Sequence, residues 1–217
     1  MSTRGCGTIN PVLEFERCED RTLTALVFVL NGIAFSPVGP GALTDSAAKV
    51  LEQAGNRVIQ LTTPEMATAG AFRGVARKIA ALSQGQPIGL VGFSAGGSPA
   101  TRLAGVGVLH VTAVLGYFGP PDLEDFFHFH RDDRFSRHVL SHVPFTAAAT
   151  DQLSGPSDTS ADVVTAFGVR DHNVTAPESA ASFYRDFRQG EVNYYTGPHG
   201  VSINPSRPAL AHSLAHL

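Results

Sequence analysis

The feature that most constrains the fold of this chain is an alternation of short β-branched runs with longer helical segments. The runs that predict strands are residues 24–31, 56–62, 87–94, 110–119, 161–169 and 191–197. Helices are predicted over residues 44–55, 69–84, 95–104, 176–188 and 207–217, and an edge strand over residues 12–18. Strands that alternate with helices predict a parallel sheet with helices on both faces. We therefore predict an α/β fold with a mostly parallel central sheet of about six or seven strands.

Composition and charge limit the classes of partner. The chain has 217 residues, 43% of them hydrophobic, which suits one packed domain and is too apolar for a disordered chain. The net charge is −3 and the basic residues are scattered, so we expect no nucleic-acid partner. The two cysteines, Cys6 and Cys18, are expected to be reduced thiols in a cytoplasmic protein. No apolar signal-peptide core is present, and the longest apolar stretch (residues 23–35) is too short to cross a membrane.

One segment interrupts the alternation. Residues 122–155 lie between two strands that should be neighbours, and they exceed the length of a simple crossover. They predict a short cap, or lid, inserted into a single domain that spans residues 1–217. In open parallel sheets ligands bind at the carboxyl ends of the strands, so we expect the cap to lie above that edge.

A G-x-S-x-G pattern occupies residues 92–96, with Ser94 at its centre. An apolar strand leads directly into the pattern and a helix of small residues leads out of it, which is the setting of a nucleophile elbow. The serine of such an elbow has a strained backbone, and a Cβ atom at Gly92 or Gly96 is expected to collide with the adjacent strand and helix. The helix that begins after Ser94 would also favour negative charge at this point.

A nucleophilic serine needs a base, and the base needs an acid to orient it. His199 follows the predicted strand at residues 191–197, and Asp171 follows the one at residues 161–169. Both residues are therefore expected at the sheet edge from which Ser94 emerges. The chain order is Ser94, Asp171, His199, which is the order associated with the α/β-hydrolase fold.

These motifs resemble those of small α/β-hydrolases of the serine esterase, thioesterase and dienelactone-hydrolase-like group. The resemblance rests on the elbow at residues 92–97, on Gly168, Asp171 and Val174, and on the histidine loop at residues 198–200, and it covers residues 24–204. It implies an α/β-hydrolase fold with a serine, histidine and aspartate triad. The dienelactone branch normally has a cysteine nucleophile, so Ser94 favours ester or thioester chemistry instead.

The resemblance also implies an oxyanion hole and a substrate site. One backbone N–H would come from Ala95, and the other from the turn after the first strong strand, where Ile33 is the expected donor. Asn31 stands in that turn where the family usually has histidine. The residues expected to contact substrate are Asn31, Phe93, Phe126 and Phe127. The phenylalanines of the predicted cap suggest an apolar acyl or aromatic group, and they fit core positions equally well.

Other residues compete for two of these roles. Asp122 follows the strand at residues 110–119 and is an alternative acid, although the motif around Asp171 is the fuller match. For the base, His172 is expected to point away from the site of its neighbour Asp171. His212 and His216 lie four residues apart on the predicted last helix and are expected to be surface or packing residues.

The predicted cap offers a metal-dependent alternative. His128, His130 and Asp132 resemble the H-x-H-x-D start of a dinuclear metal-hydrolase motif, and His138 and His142 add an i, i+4 pair. That motif should follow a strand near the start of its own fold and should have a histidine where this chain has Asp133. We therefore expect no metal here, but a polar helix face whose phenylalanines cover a pocket.

The sequence thus predicts a serine hydrolase that cleaves a small-molecule carboxylic ester or thioester through an acyl-enzyme, with no metal or cofactor. With an internal hydroxyl or amine in place of water, the same residues would perform acyl transfer or cyclisation, and the sequence does not separate the two. A non-catalytic binding protein is disfavoured because Ser94, Asp171 and His199 are all chemically competent. Nothing in the sequence indicates an oligomeric state.

Overall fold

The computed structural model describes residues 25–30, 42–61, 69–130, 133, 134, 137, 141 and 146–199. These residues contain a six-stranded sheet of β1 (Leu26–Leu30), β2 (Arg57–Leu61), β3 (Ile88–Phe93), β4 (Val111–Tyr117), β5 (Asp162–Gly168) and β6 (Glu191–Tyr195). The strand order is β2-β1-β3-β4-β5-β6, and every neighbouring pair is parallel. The predicted α/β class and parallel sheet are confirmed, and each of the six main predicted strands is present.

Helices connect the strands, as parallel pairing requires. They are α1 (Ala42–Gln53), α2 (Ala69–Ser83), α3 (Gly97–Leu103), α4 (Leu123–His130), α5 (Ala147–Gln152) and α6 (Ala176–Asp186). The edge strand predicted at residues 12–18 and the last helix predicted at residues 207–217 lie outside the described residues. No helix in the described part of the chain has both the length and the apolar composition that crossing a bilayer requires.

Both faces of the sheet are covered, which explains why the strands are continuous apolar runs. All five residues of β1 are buried, and successive side chains point to opposite faces. Phe28 belongs to a core cluster with Phe72 and Ile79 of α2. Val29 belongs to a second cluster with Leu51 of α1. Helices therefore lie on both faces, as predicted.

The strand order sets the place where a site can form. The chain runs outward from β1 to β2 and then returns to build β3 to β6 on the other side of β1. The turns that follow the parallel strands β3, β4, β5 and β6 all leave the sheet at the same edge. In open parallel sheets, ligands bind at this edge, near the point where the strand order reverses.

The two ends of the segment at residues 122–155 lie side by side. The Leu123 N–H donates to the Leu153 carbonyl at 3.3 Å, and the Glu124 N–H donates to Ser154 Oγ at 2.8 Å. The Gly155 N–H donates to Asp122 Oδ2 at 2.8 Å. This segment, which contains α4 and α5, therefore leaves the sheet and returns to almost the same point. That it forms a cap within a single domain stays a prediction.

Candidate active site

Ser94 lies in a sharp turn between β3 and α3. Residues Ser94–Gly96 form one turn of 3₁₀ helix, and the φ angle of Ser94 is +51°. A positive φ is uncommon for a residue with a side chain, and it turns the serine out of the line of the strand. A Cβ atom on Gly92 would overlap the Gly96 carbonyl oxygen and lie 2.8 Å from the Ala100 Cβ. The collision predicted for Gly92 is therefore confirmed, and the local geometry is that of a strand–turn–helix elbow.

The elbow packs directly against the turn that follows the neighbouring strand β4. A Cβ atom on Gly97 would lie 2.8 Å from the Gly119 Cα, and one on Gly119 would overlap the Ser94 carbonyl oxygen. The Ser98 hydroxyl donates to the Pro120 carbonyl of the same turn. Two glycines thus allow the backbones after β3 and β4 to approach each other closely.

Three side chains that are distant in the sequence form a hydrogen-bonded chain at this edge. Ser94 Oγ lies 2.8 Å from His199 Nε2, and His199 Nδ1 lies 2.8 Å from Asp171 Oδ2. The Asp171 side chain is fully buried, and that of His199 is 18% exposed. The structure therefore brings together all three residues that the sequence analysis selected.

The backbone fixes the orientation of Asp171. Its Oδ1 atom accepts hydrogen bonds from the Asn173 N–H at 2.8 Å and the Val174 N–H at 3.0 Å. These contacts leave Oδ2 directed at His199. Val174 is itself buried against Phe126 and Phe167, so the loop is tied to the core. The Asp171 carboxyl group is therefore held in one position by the loop that carries it.

Hydrogen-bond logic assigns the roles of the two imidazole nitrogens. An ionised carboxylate only accepts hydrogen bonds, so with Asp171 in this form His199 Nδ1 is the donor. In the neutral imidazole Nε2 is then an acceptor, and it faces the hydroxyl of Ser94. An acceptor nitrogen at 2.8 Å from a serine hydroxyl is placed to take its proton.

Asp122, the alternative acid, lies in different contacts. Its Oδ1 accepts from the Asp125 N–H at 2.9 Å, and its Oδ2 accepts from Gly155 and from Arg185 Nη2 at 2.9 Å. Burial raises the pKa of Asp122, but the two backbone N–H groups and the Arg102 guanidinium outweigh it, so the pKa lies below its ordinary value. This side chain holds together the ends of residues 122–155, called the inserted segment below, whereas His199 is paired with Asp171.

The alternative bases have different positions. His172 is exposed to solvent, as expected of a side chain that points away from the site. His212 and His216 lie outside the described residues.

The phenylalanines predicted to contact substrate differ in burial and in their neighbours. Phe93 is buried and its ring stacks on Tyr117, with centroids 5.2 Å apart. Phe126 is buried against Val174 of the Asp171 loop and also lines a shallow open groove between α4 and α6. Phe127 is half-buried against the core. Their contact with substrate stays a prediction.

Of the two predicted oxyanion-hole donors, only Ala95 lies in the described part of the chain. Ala95 directly follows Ser94 in the elbow and is half-buried. Ile33 and the nearby Asn31 lie outside the described residues.

The candidate metal ligands of the inserted segment are only partly described. His130 Nδ1 lies 2.7 Å from Asp133 Oδ2, and the His128 ring contacts the ring of Phe129. Asp132, His138 and His142 lie outside the described residues. Within the described part of the chain, no three histidine, cysteine or acidic side chains form a group suited to a metal ion.

Among the described residues, Phe118 contacts the site and was not selected by the sequence analysis. Its ring packs against the imidazole of His199, with centroids 4.9 Å apart and an interplanar angle of 63°. In the sequence, Phe118 looked like the end of an apolar strand. Its position directly before Gly119, at the carboxyl edge of the sheet, was the only signal available.

Comparisons with known proteins give similarity in structure but not in sequence. No protein-family model matches the chain, and no curated protein matches it by sequence. Among solved structures it is similar to MGS-MChE2, an α/β hydrolase enzyme from the metagenome of lagoon sediments of Mar Chica, Morocco. That match has 15% identity and a TM-score of 0.57, and covers 81% of this chain and 82% of the other.

Two further structures show how far this similarity extends. The esterase domain of a Rhodothermus marinus protein is 18% identical, with a TM-score of 0.61, over 92% of this chain and 87% of the other. A bromoperoxidase from Bacillus anthracis is 18% identical, with a TM-score of 0.56, over 88% of each chain. Their names differ, so the likeness concerns architecture rather than reaction. Together with the six-stranded parallel sheet, these matches show that the chain has the α/β-hydrolase fold.

Proposed function

We propose that this chain is a serine hydrolase that cleaves a carboxylic ester or thioester through a covalent acyl-enzyme. The observation that carries the proposal is the hydrogen-bonded chain from Ser94 through His199 to Asp171, with both contacts at 2.8 Å. A serine hydroxyl is a weak nucleophile by itself and becomes effective when an adjacent base accepts its proton. The positive φ of Ser94 is a second, independent mark of a nucleophile elbow.

In the first half of the reaction, His199 Nε2 takes the proton of Ser94 as Oγ attacks the acyl carbon. The imidazolium that forms is stabilised by Asp171, whose Oδ2 faces Nδ1. Collapse of the tetrahedral intermediate expels the alcohol or thiol, which receives the proton from His199 Nε2. Ser94 is left as an acyl ester.

The negative charge that develops on the acyl oxygen requires N–H donors. In the proposed mechanism the backbone N–H of Ala95 is one donor, and that of Ile33 is the other. The helix that begins beside Ser94 adds a favourable partial charge. Each such donor contributes about 3–4 kcal/mol of transition-state stabilisation, so backbone geometry matters here more than side-chain identity.

In the second half of the reaction, water replaces the departed alcohol or thiol. His199 takes a proton from this water, whose oxygen attacks the acyl carbon of the acyl-enzyme. The second tetrahedral intermediate collapses, the carboxylic acid leaves, and Ser94 recovers its proton from His199.

The test is covalent labelling by a fluorophosphonate, read by intact mass, together with turnover of a short-chain p-nitrophenyl ester. We expect one adduct on the wild type, none on Ser94→Ala, and strongly slowed labelling of His199→Ala. Turnover by either variant should fall about 10⁶-fold. Ser83→Ala is the control, because this serine is buried at the end of α2 and donates only to the Ala80 carbonyl. Retained labelling of Ser94→Ala would show that the nucleophile is another residue.

A further inference from the structure

Phe118 has a strained backbone next to the candidate site. It directly follows β4, its side chain is buried, and its φ angle is +37°. A positive φ in a bulky residue is an outlier that the surrounding structure must hold in place. Such outliers cluster at functional sites, where a side chain is needed in one particular position.

The surrounding structure does hold this backbone in place. The Phe118 N–H donates to the Ala166 carbonyl of β5 at 2.8 Å. The next residue, Gly119, is packed against Gly97 and the Ser94 carbonyl so closely that no Cβ would fit. The position of Phe118 is therefore fixed from one side by β5 and from the other by the elbow.

The ring of Phe118 contacts both the core and the imidazole. It contacts Phe93 with centroids 5.9 Å apart. It also meets His199 in an edge-to-face arrangement, with centroids 4.9 Å apart. Aromatic pairs favour this arrangement, which depends on the relative orientation of the two rings. Rotation of the imidazole would therefore lose the contact.

We propose that Phe118 is a positioning residue for His199, acting through the imidazole and without touching the substrate. The inference rests on the proposed function, in which Nε2 must face Ser94 while Nδ1 faces Asp171. Those two hydrogen bonds fix the imidazole within its own plane, and the ring of Phe118 restricts its tilt out of that plane. A base aligned before the substrate arrives lowers the barrier to proton transfer rather than strengthening binding.

The experiment compares Phe118→Leu with Phe72→Leu. Both phenylalanines are buried, but Phe72 lies on α2 in the other core cluster, where it contributes packing only. Phe118→Met is a second variant of similar volume, in case the leucine variant does not fold. Thermal unfolding, p-nitrophenyl ester kinetics, fluorophosphonate labelling rates and ¹H NMR of the His199 Nδ1 proton are measured on each folded variant.

We expect either Phe118 variant to lower kcat about tenfold with little change in KM, and to slow labelling by a similar factor. The downfield signal of the Nδ1 proton, which reports its short hydrogen bond to Asp171, should shift or broaden in these variants only. Phe72→Leu should lower thermal stability but leave kcat and the proton signal unchanged. If the folded Phe118 variants match Phe72→Leu in both measurements, Phe118 is a core residue and the inference is wrong.

The same experiment separates this inference from the proposed function. If the wild type is neither labelled nor active, both the proposed function and the role of Phe118 are rejected. If the wild type is labelled at Ser94 and the Phe118 variants react at the wild-type rate, only the role of Phe118 is rejected.

Discussion

Replacing Arg102 with methionine should destabilise the fold more than replacing Arg185, although both arginines belong to the same ion-pair network. The side chain of Arg102 is 5% exposed, whereas that of Arg185 is 51% exposed. Arg102 Nη2 donates to the Pro121 carbonyl at 2.9 Å and to Asp186 Oδ2 at 3.0 Å, and Nη1 donates to the Gly155 carbonyl. It therefore binds the backbone at both ends of the inserted segment.

The structure sets the magnitude of the expected loss. Removing one partner of a buried ion pair costs about 3–5 kcal/mol, because the remaining charge stays buried. Here Arg185 would still pair with Asp186 at 2.7 Å and with Asp122 at 2.9 Å, which reduces the cost. Two backbone carbonyls would lose their donor, at about 1 kcal/mol each. We therefore expect Arg102→Met to lower the free energy of unfolding by about 3 kcal/mol.

Arg185→Met is the matched control. Solvent screens the pairs made by this half-exposed side chain, so its loss should cost about 1 kcal/mol. Methionine keeps most of the apolar stem in both variants, so the comparison isolates the guanidinium groups. The assay is urea unfolding followed by circular dichroism, with midpoints compared at equal m-values. If Arg102→Met lost no more stability than Arg185→Met, the network would not be an internal anchor of the inserted segment.

Two further predictions concern stability at low pH and the packing of the elbow. Because the pKa of Asp122 lies below its ordinary value of 3.8, its contribution to stability is present above that pH and is lost as pH falls through the lower folded-state pKa. The urea midpoint of Asp122→Asn should therefore fall less between pH 5 and pH 2 than the midpoint of the wild type. Glu124→Gln, which changes an exposed carboxyl group, is the control and should behave like the wild type. An equal fall of the urea midpoint in all three proteins would contradict this prediction. Gly92→Ala should destabilise by about 1–3 kcal/mol and slow fluorophosphonate labelling. Gly74→Ala on α2, where nothing lies within 4 Å of a Cβ, should be neutral or stabilising in the same unfolding assay.

The fold and the proximity of Ser94, Asp171 and His199 could be predicted because their signals are local. Each strand was marked by a short apolar run, and each candidate residue directly follows one of those strands. Ser94 and Asp171 are 77 residues apart in the sequence, and Asp171 and His199 are 28 residues apart. Because parallel strands end at one edge of the sheet, these residues could still be expected to meet there. The hydrogen-bond geometry adds the orientation of each group, which sequence spacing does not contain.

The contacts of Arg102 could not be predicted in the same way. An arginine within a helical segment usually belongs to an exposed face, and nothing near Arg102 in the sequence marks it as buried. Its partners are Pro121, Gly155 and Asp186, which are 19, 53 and 84 residues away. Only the assembled fold brings these groups together, because the inserted segment must first return to its starting point.

The turn after β4 contacts both the candidate active site and the ion-pair network around Arg102. Phe118 contacts the imidazole of His199, Gly119 contacts the elbow, and Pro121 and Asp122 contact the ion-pair network that closes the inserted segment. Pro120 and Pro121 restrict the φ angles between these contacts, which leaves little freedom for one end of the turn to move without the other. The buried charges therefore stabilise more than the inserted segment, because they fix the end of a short, stiff turn whose other end packs against the candidate base.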